Sequence, residues 1–158
     1  MGRFFSCILV ILSFTFAGAS AVSANPRDRT SKPLNVNGNQ LATCSEQPLT
    51  GWFRDGYCRT NDRDQGRHVV CAVMTKEFLA LTKSKGNDLS TPKPQFRFPG
   101  LKPGDRWCLC ALRWREALKF GEAPPVELSA THQKALQYVT KSQLEAKRIQ
   151  RKNTQVRQ

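Results

Sequence analysis

The chain reads as an α+β protein: a small single domain with a short sheet, about three helices and long ordered loops. Three observations predict this class. His68–Met74 is a short apolar run with three β-branched residues and reads as a buried strand. Two stretches of helical spacing follow, from Thr75 and from Ala111, each closed by a glycine. Between them Asn87–Gly104 carries four prolines, so neither a helix nor a central strand runs through it.

Residues 1–24 carry the marks of a secretory signal peptide. Arg3 is the positive n-region, and Cys7–Ala17 form an apolar core shorter than the roughly 20 residues of a spanning helix. Small residues end at Ala24, where cleavage is expected. Nothing later is apolar enough to cross a membrane. The secretory pathway or the extracellular space is the expected destination, with an organelle lumen such as the plastid as the alternative. Residues 25–33 are a polar, disordered lead-in, and residues 34–140 are the expected domain.

Asn37–Gly38 is a tight-turn signal, and Arg54–Asp55–Gly56 is a second turn. Trp52, Phe53 and Tyr57 pin the loop between Leu49 and Asp64. After the strand, Thr75 is an N-cap and Glu77 an acid in the first turn. Met74, Phe78 and Leu81 face the core, Lys83 and Lys85 lie in the last turn, and Gly86 is the stop. Phe96 and Phe98 are expected to tack the proline-rich connection to the core.

Arg106–Phe120 is the second apolar element, helical from Ala111 with Trp114, Ala117 and Leu118 on its inner side. Asp105 is placed to cap whatever follows it. Val126–Leu128 suggests a short strand, and Thr131 the cap of a helix reaching Val139. Ser142 opens a last helix with Leu144 and Ile149, inside a basic, partly helical tail over residues 141–158.

Net charge is +13 over 158 residues, and its distribution matters more than its size. Residues 33–140 hold 15 basic and 10 acidic residues, whereas residues 141–158 hold six basic and one acidic. Charge at chain ends is usually solvated. No sequence-specific nucleic-acid partner is expected, because no basic stripe interleaved with stacking aromatics marks the core. An anionic surface or partner for the basic tail is the electrostatic alternative, with binding that weakens in salt.

Five cysteines remain beyond the leader: Cys44, Cys58, Cys71, Cys108 and Cys110. An odd number leaves at least one thiol free, metal-bound or joined to another chain. Cys108–Leu109–Cys110 is the sharpest local feature. In a strand, residues two apart share a face and both sulfurs can reach one centre. In a helix they lie about 200° apart, and a capping Asp105 would put Cys108 in a first turn that favours a thiolate. The C-x₂₋₄-C spacing of a local zinc knuckle is absent. The candidate metal set is therefore composite: Cys58, Cys71, Cys108, Cys110 and His68, for zinc or another thiophilic metal. Cys108 and Cys110 are also the candidate reactive pair for thiol exchange. Arg54, Asp55, Asn87, Asp88, Asp105 and Arg106 are candidate ligand-binding residues around it, although Arg54–Asp55 and Asp105–Arg106 also suit local salt bridges. His132 is expected at the surface or as a cap. The competing reading pairs four of the cysteines as two disulfides and makes the protein a non-catalytic, stapled binding domain for a small polar ligand or protein partner.

Several runs resemble one family. Pro48–Gly56, His68–Thr75, Lys85–Pro92, Phe98–Cys110 and Ala130–His132 are similar to the uncharacterised family called domain of unknown function 2237. The resemblance covers roughly residues 34 to 140. It implies a small single domain found in bacteria and in plants or algae, with no established activity. It also implies relatives without a leader, which raises the thiol or metal reading over the disulfide one.

Overall fold

The computed structural model describes residues 33–150. The expected signal peptide, lead-in and residues 151–158 of the tail lie outside them.

Two strands form the sheet, β1 (His68–Val73) and β2 (Arg106–Cys110). They are antiparallel, with Cys71 opposite Cys108, His68 opposite Cys110, and a register irregularity between His68 and Val70. Four consecutive residues of β1 are buried, Val69 to Ala72, as expected of a strand covered on both faces. The other edge of β1 is occupied by an irregular segment. Pro125 O accepts from the Val73 N–H, Glu127 N–H donates to Cys71 O, and His132 N–H donates to Val69 O. Residues 125–132 thus act as a broken third strand, kinked by a 3₁₀ turn at Leu128–Ala130. The expected strand at Val126–Leu128 shrinks to bridges from Val126 to Ala72 and to Arg148, because Pro124 and Pro125 precede it.

Helix α1 (Lys76–Ser84) starts where the sequence places it. Thr75 Oγ1 accepts the Phe78 N–H, Glu77 lies in the first turn, and Gly86 turns left-handed at φ 78° after the end. Helix α2 (Ala111–Lys119) follows β2 without a loop and buries Ala111, Trp114 and Ala117 against the sheet. The Trp114 indole N–H donates to Pro124 O at 3.0 Å, so the largest fully buried side chain is also hydrogen-bonded.

Three expectations are corrected. The helix predicted from Thr131 to Val139 is a 3₁₀ segment over Gln133–Gln137, capped by His132 rather than Thr131. Thr131 is diverted: its hydroxyl accepts the Cys71 N–H and donates to Glu127 O. Asp105 does not cap a helix, because residues 106–110 are extended; its carboxylate accepts the Lys102 N–H and closes the Pro103–Gly104 turn. Phe96 is 66% exposed, so of the two phenylalanines only Phe98 tacks the proline-rich connection to the core, edge-on to Trp107 at 5.2 Å; Leu101 is buried there beside it.

Helix α3 (Lys141–Ala146) has a full capping box between Thr140 and Gln143 and buries Leu144 in the main core. Ile149, expected inside this helix, lies beyond its end, where its N–H donates to Val126 O. No helix among the described residues is long and apolar enough to cross a membrane.

Candidate functional site

Four of the cysteines form two disulfides, Cys44–Cys71 and Cys58–Cys108. The strand register explains the arrangement. Cys71 and Cys108 sit opposite each other on β1 and β2, so their side chains leave one face of the sheet. They do not bond to one another; each reaches a cysteine of the loop that crosses that face. The four half-cystines and Ala130 make a second, separate core cluster, all but inaccessible to solvent. Among the described residues Cys110 is the one cysteine outside a disulfide, half-buried at the junction of β2 and α2.

The predicted Cys58, Cys71, Cys108, Cys110 and His68 set is thus regrouped. Cys58, Cys71 and Cys108 come together, Cys44 joins them, and Cys110 stands apart. Cys108 and Cys110 are in extended backbone, but Cys108 is bonded to Cys58 and the two do not form a thiol pair. No metal-ligand grouping containing His68 occurs among the described residues.

His68 belongs to a different site. Its Nδ1 lies 2.6 Å from Oδ1 of Asp64, a carboxylate with no exposed surface. Asp64 Oδ2 accepts the His68 backbone N–H and the Thr60 hydroxyl, each at 2.8 Å. Trp52 stacks on the imidazole, its ring centroid 6.0 Å away and nearly parallel. A Cβ on Gly66 would fall 2.5 Å from the imidazole Cε1, so the absent side chain makes the space the ring fills. The anchor is Arg67, left-handed at φ 48°, whose guanidinium donates to Asn61 O and Asp64 O. With Nδ1 committed to Asp64, Nε2 is the ring nitrogen left for a ligand.

The imidazole lines a cleft of about 440 Å³ together with Trp52, Arg54, Asn87, Asp88 and Trp107. Phe98, Lys93, Arg97 and Cys108 also line it. That volume suits a small molecule. The half-buried Arg54 guanidinium carbon stands 4.9 Å from the centroid of the Trp107 ring, and Nη1 donates to Gly51 O. Burial first, and the Arg97 charge second, pull Arg54 below the usual guanidinium range. Among the described residues no carboxylate pairs with Arg54, Lys93 or Arg97. The acid of the wall, Asp88, is already committed. Its oxygens accept from the Thr91 hydroxyl and from the Ser90 and Thr91 N–H groups, and Lys83 pairs with it at 3.2 Å. Those bonds, the Thr91 hydroxyl foremost, hold its carboxyl well below the usual carboxylate range.

Arg54, Arg67 and Arg97 share another property. They are the three non-glycine residues with left-handed backbone among those described, at φ 53°, 48° and 49°. Two line the cleft and the third precedes its histidine. Such conformations are uncommon outside glycine and concentrate at functional sites.

Of the six predicted ligand-binding residues, Arg54, Asn87 and Asp88 line this cleft. Asp55 instead pairs with Arg59, and Arg106 reaches Glu127 at 3.9 Å, so neither makes the expected bridge to its sequence neighbour. Asp105 lies in another hollow, beside Gly100 and Lys102. Asp64, Gly66 and Trp107 were missed as site residues. The Asp64–His68 spacing of four was a usable signal, since a turn brings such a pair together.

Fold and site define a small disulfide-stapled α+β domain with a cationic, aromatic-walled cleft. Residues 34–148 match the family described as an uncharacterized protein conserved in bacteria (DUF2237), and the chain belongs to that family. No curated protein matches it. Its two disulfides are compatible with an oxidising environment.

Proposed function

We propose that this protein is an exported binding domain whose cleft holds a small, flat anion. The observation that carries this reading is Arg54. It is a half-buried cation stacked on Trp107, pressed by the Arg97 charge, with no carboxylate partner among the described residues. An anion entering the cleft relieves that repulsion and takes up the free guanidinium donors in forked geometry. The Trp52 and Trp107 rings favour a planar ligand body. His68 then offers Nε2 as a hydrogen-bonding or proton-accepting group, oriented from behind by Asp64.

The test uses tryptophan fluorescence with three probes of similar shape. Benzoate and phenyl phosphate quench it on binding; benzamidine, a planar cation, does not. Arg54→Gln weakens benzoate binding about tenfold, the loss of one charge-assisted hydrogen bond. Equal binding of benzamidine and benzoate rules the reading out.

The alternative of thiol exchange or metal binding through Cys108 and Cys110 has less support, because Cys108 is bonded to Cys58 and Cys110 lies outside the buried sulfur cluster. Attraction of the basic end to an anionic surface is a separate proposal, tested by removing residues 151–158 and following vesicle binding against salt.

A further inference from the structure

We propose that Cys44, Cys58, Cys71 and Cys108, when reduced, form a tetrathiolate site for one zinc ion, so that the same chain is stapled by sulfur–sulfur bonds or by metal according to its redox environment. This stands on the sulfur cluster and is independent of the ligand assigned to the cleft.

The geometry comes first. The Sγ atoms of Cys44, Cys58 and Cys108 all lie within 4.8 Å of one another, and that of Cys71 is bonded to Cys44. Four sulfurs thus occupy one small volume. Zinc binds thiolates at about 2.3 Å in a tetrahedron, which places the sulfurs roughly 3.8 Å apart. The two bonded pairs must separate from bonding distance to that spacing while Cys44 closes modestly on Cys58 and Cys108; Cys71, bonded to Cys44 but outside that grouping, must also turn toward Cys58 and Cys108. Side-chain rotation supplies shifts of this size.

The backbone at Cys108, Cys71 and Cys44 is held by hydrogen bonds that do not involve sulfur. Cys108 N–H donates to the buried Thr50 hydroxyl at 2.8 Å, and Cys71 N–H donates to the buried Thr131 hydroxyl at 3.1 Å. Cys44 N–H donates to Gly56 O, and Gly56 N–H to Thr50 O, so the loop carrying Cys44 and Cys58 closes on itself. Gly51 is part of that closure: its backbone is left-handed, and a Cβ there would collide with Tyr57 O. Breaking both disulfides therefore leaves four buried thiols clustered among the same backbone anchors.

Burial and charge agree with this. Cys58 and Cys71 have no exposed surface, Cys108 1% and Cys44 4%, so the centre is closed to water as structural zinc sites are. A zinc tetrathiolate carries two negative charges. It sits behind the cleft that Cys108 lines, where Arg54, Lys93 and Arg97 are the cations. Cys110 and His68 take no part.

The chemistry balances. Reduction by a water-soluble phosphine takes one phosphine and one water per disulfide, giving a phosphine oxide and two thiols. Zinc binding then releases the four thiol protons, so affinity rises with pH. Exchange with two equivalents of a small-molecule disulfide re-forms both sulfur–sulfur bonds, reduces the reagent to four thiolates and releases the ion.

The test reduces the full chain with the phosphine under anaerobic conditions and adds cobalt(II), then zinc. One equivalent of cobalt binds, with thiolate-to-metal charge-transfer and tetrahedral ligand-field bands, and zinc displaces it. Four thiols become protected from a disulfide reagent. Cys44→Ser and Cys58→Ser each lower zinc affinity at least tenfold, while Cys110→Ser binds as the parent does. If the reduced chain loses its fold, zinc restores the far-UV and near-UV circular dichroism. Reduced chain that takes up no metal at micromolar zinc overturns the proposal. So does a chain that stays unfolded with zinc present, or a Cys110→Ser variant that loses as much affinity as Cys44→Ser.

Discussion

Oδ1 of the buried Asp64 lies 2.6 Å from Nδ1 of His68, and the other oxygen of the same carboxylate accepts the His68 backbone N–H. One side chain therefore fixes both the strand entry and the imidazole that lines the cleft. The pair predicts that neutral His68 carries its proton on Nδ1. Asp64→Asn keeps the shape but replaces a carboxylate side chain that takes part in three hydrogen bonds, and costs about 1–3 kcal/mol of stability. Nitrogen NMR of the imidazole reads the tautomer directly. A variant with an unchanged tautomer and unchanged denaturation midpoint refutes this role for Asp64.

Gly66→Ala tests the same ring from the other side. The new methyl meets the imidazole at 2.5 Å, and the ring, tied to Asp64 and stacked on Trp52, is what has to move. The expected result is loss of the Nδ1 signature and weaker benzoate binding, with a stability loss of about 1 kcal/mol. Retention of both the signature and the affinity contradicts the packing described.

His132 predicts a pH dependence. It is 6% exposed, and its Nδ1 accepts the Lys134 N–H at 3.0 Å, a bond open only to the neutral ring. Burial first and the Lys134 charge second lower its pKa from the ordinary histidine value. The unfolded chain therefore binds the proton more readily than the folded one. Stability from this group is complete above about pH 6.5 and falls as pH drops below that value and through the lowered folded pKa. His132→Asn, which retains a capping acceptor, has a shallower slope over that window in chemical denaturation. Parallel slopes for parent and variant exclude His132 as the source.

The two disulfides differ in the loop each closes, with sequence separations of 27 and 50. On chain entropy alone, the longer loop stabilises by about 0.5 kcal/mol more. Replacing Cys58 and Cys108 by serine therefore costs more than replacing Cys44 and Cys71, each within about 2–5 kcal/mol. Urea midpoints of the two double variants give the order. The reverse order would show that packing within the sulfur cluster outweighs loop closure.

The α1 boundaries, the β1 strand and the helical turn of α2 were all legible because they rest on local rules: a capping threonine, a glycine stop, a run of β-branched residues. Where a side chain was claimed by a distant partner, local reading failed. Thr131 looks like a cap but is held by Cys71, 60 positions away, and Asp105 looks like a cap but closes its own turn. The ligand wall was half legible. Arg54, Asn87 and Asp88 stand in unusual polar turns, while Trp107 reads as an ordinary core residue and enters the site through the side it turns to Arg54.

From the order of residues alone followed the α+β class, the family, and the certainty that five cysteines cannot all pair among themselves. Which sulfurs meet was decided in three dimensions. Antiparallel register sets Cys71 against Cys108, and the folded loop brings Cys44 and Cys58 over them, leaving Cys110 at the end of the strand. Sequence spacing is blind to that choice, because disulfide partners are selected by the meeting of Cβ positions and not by their distance along the chain.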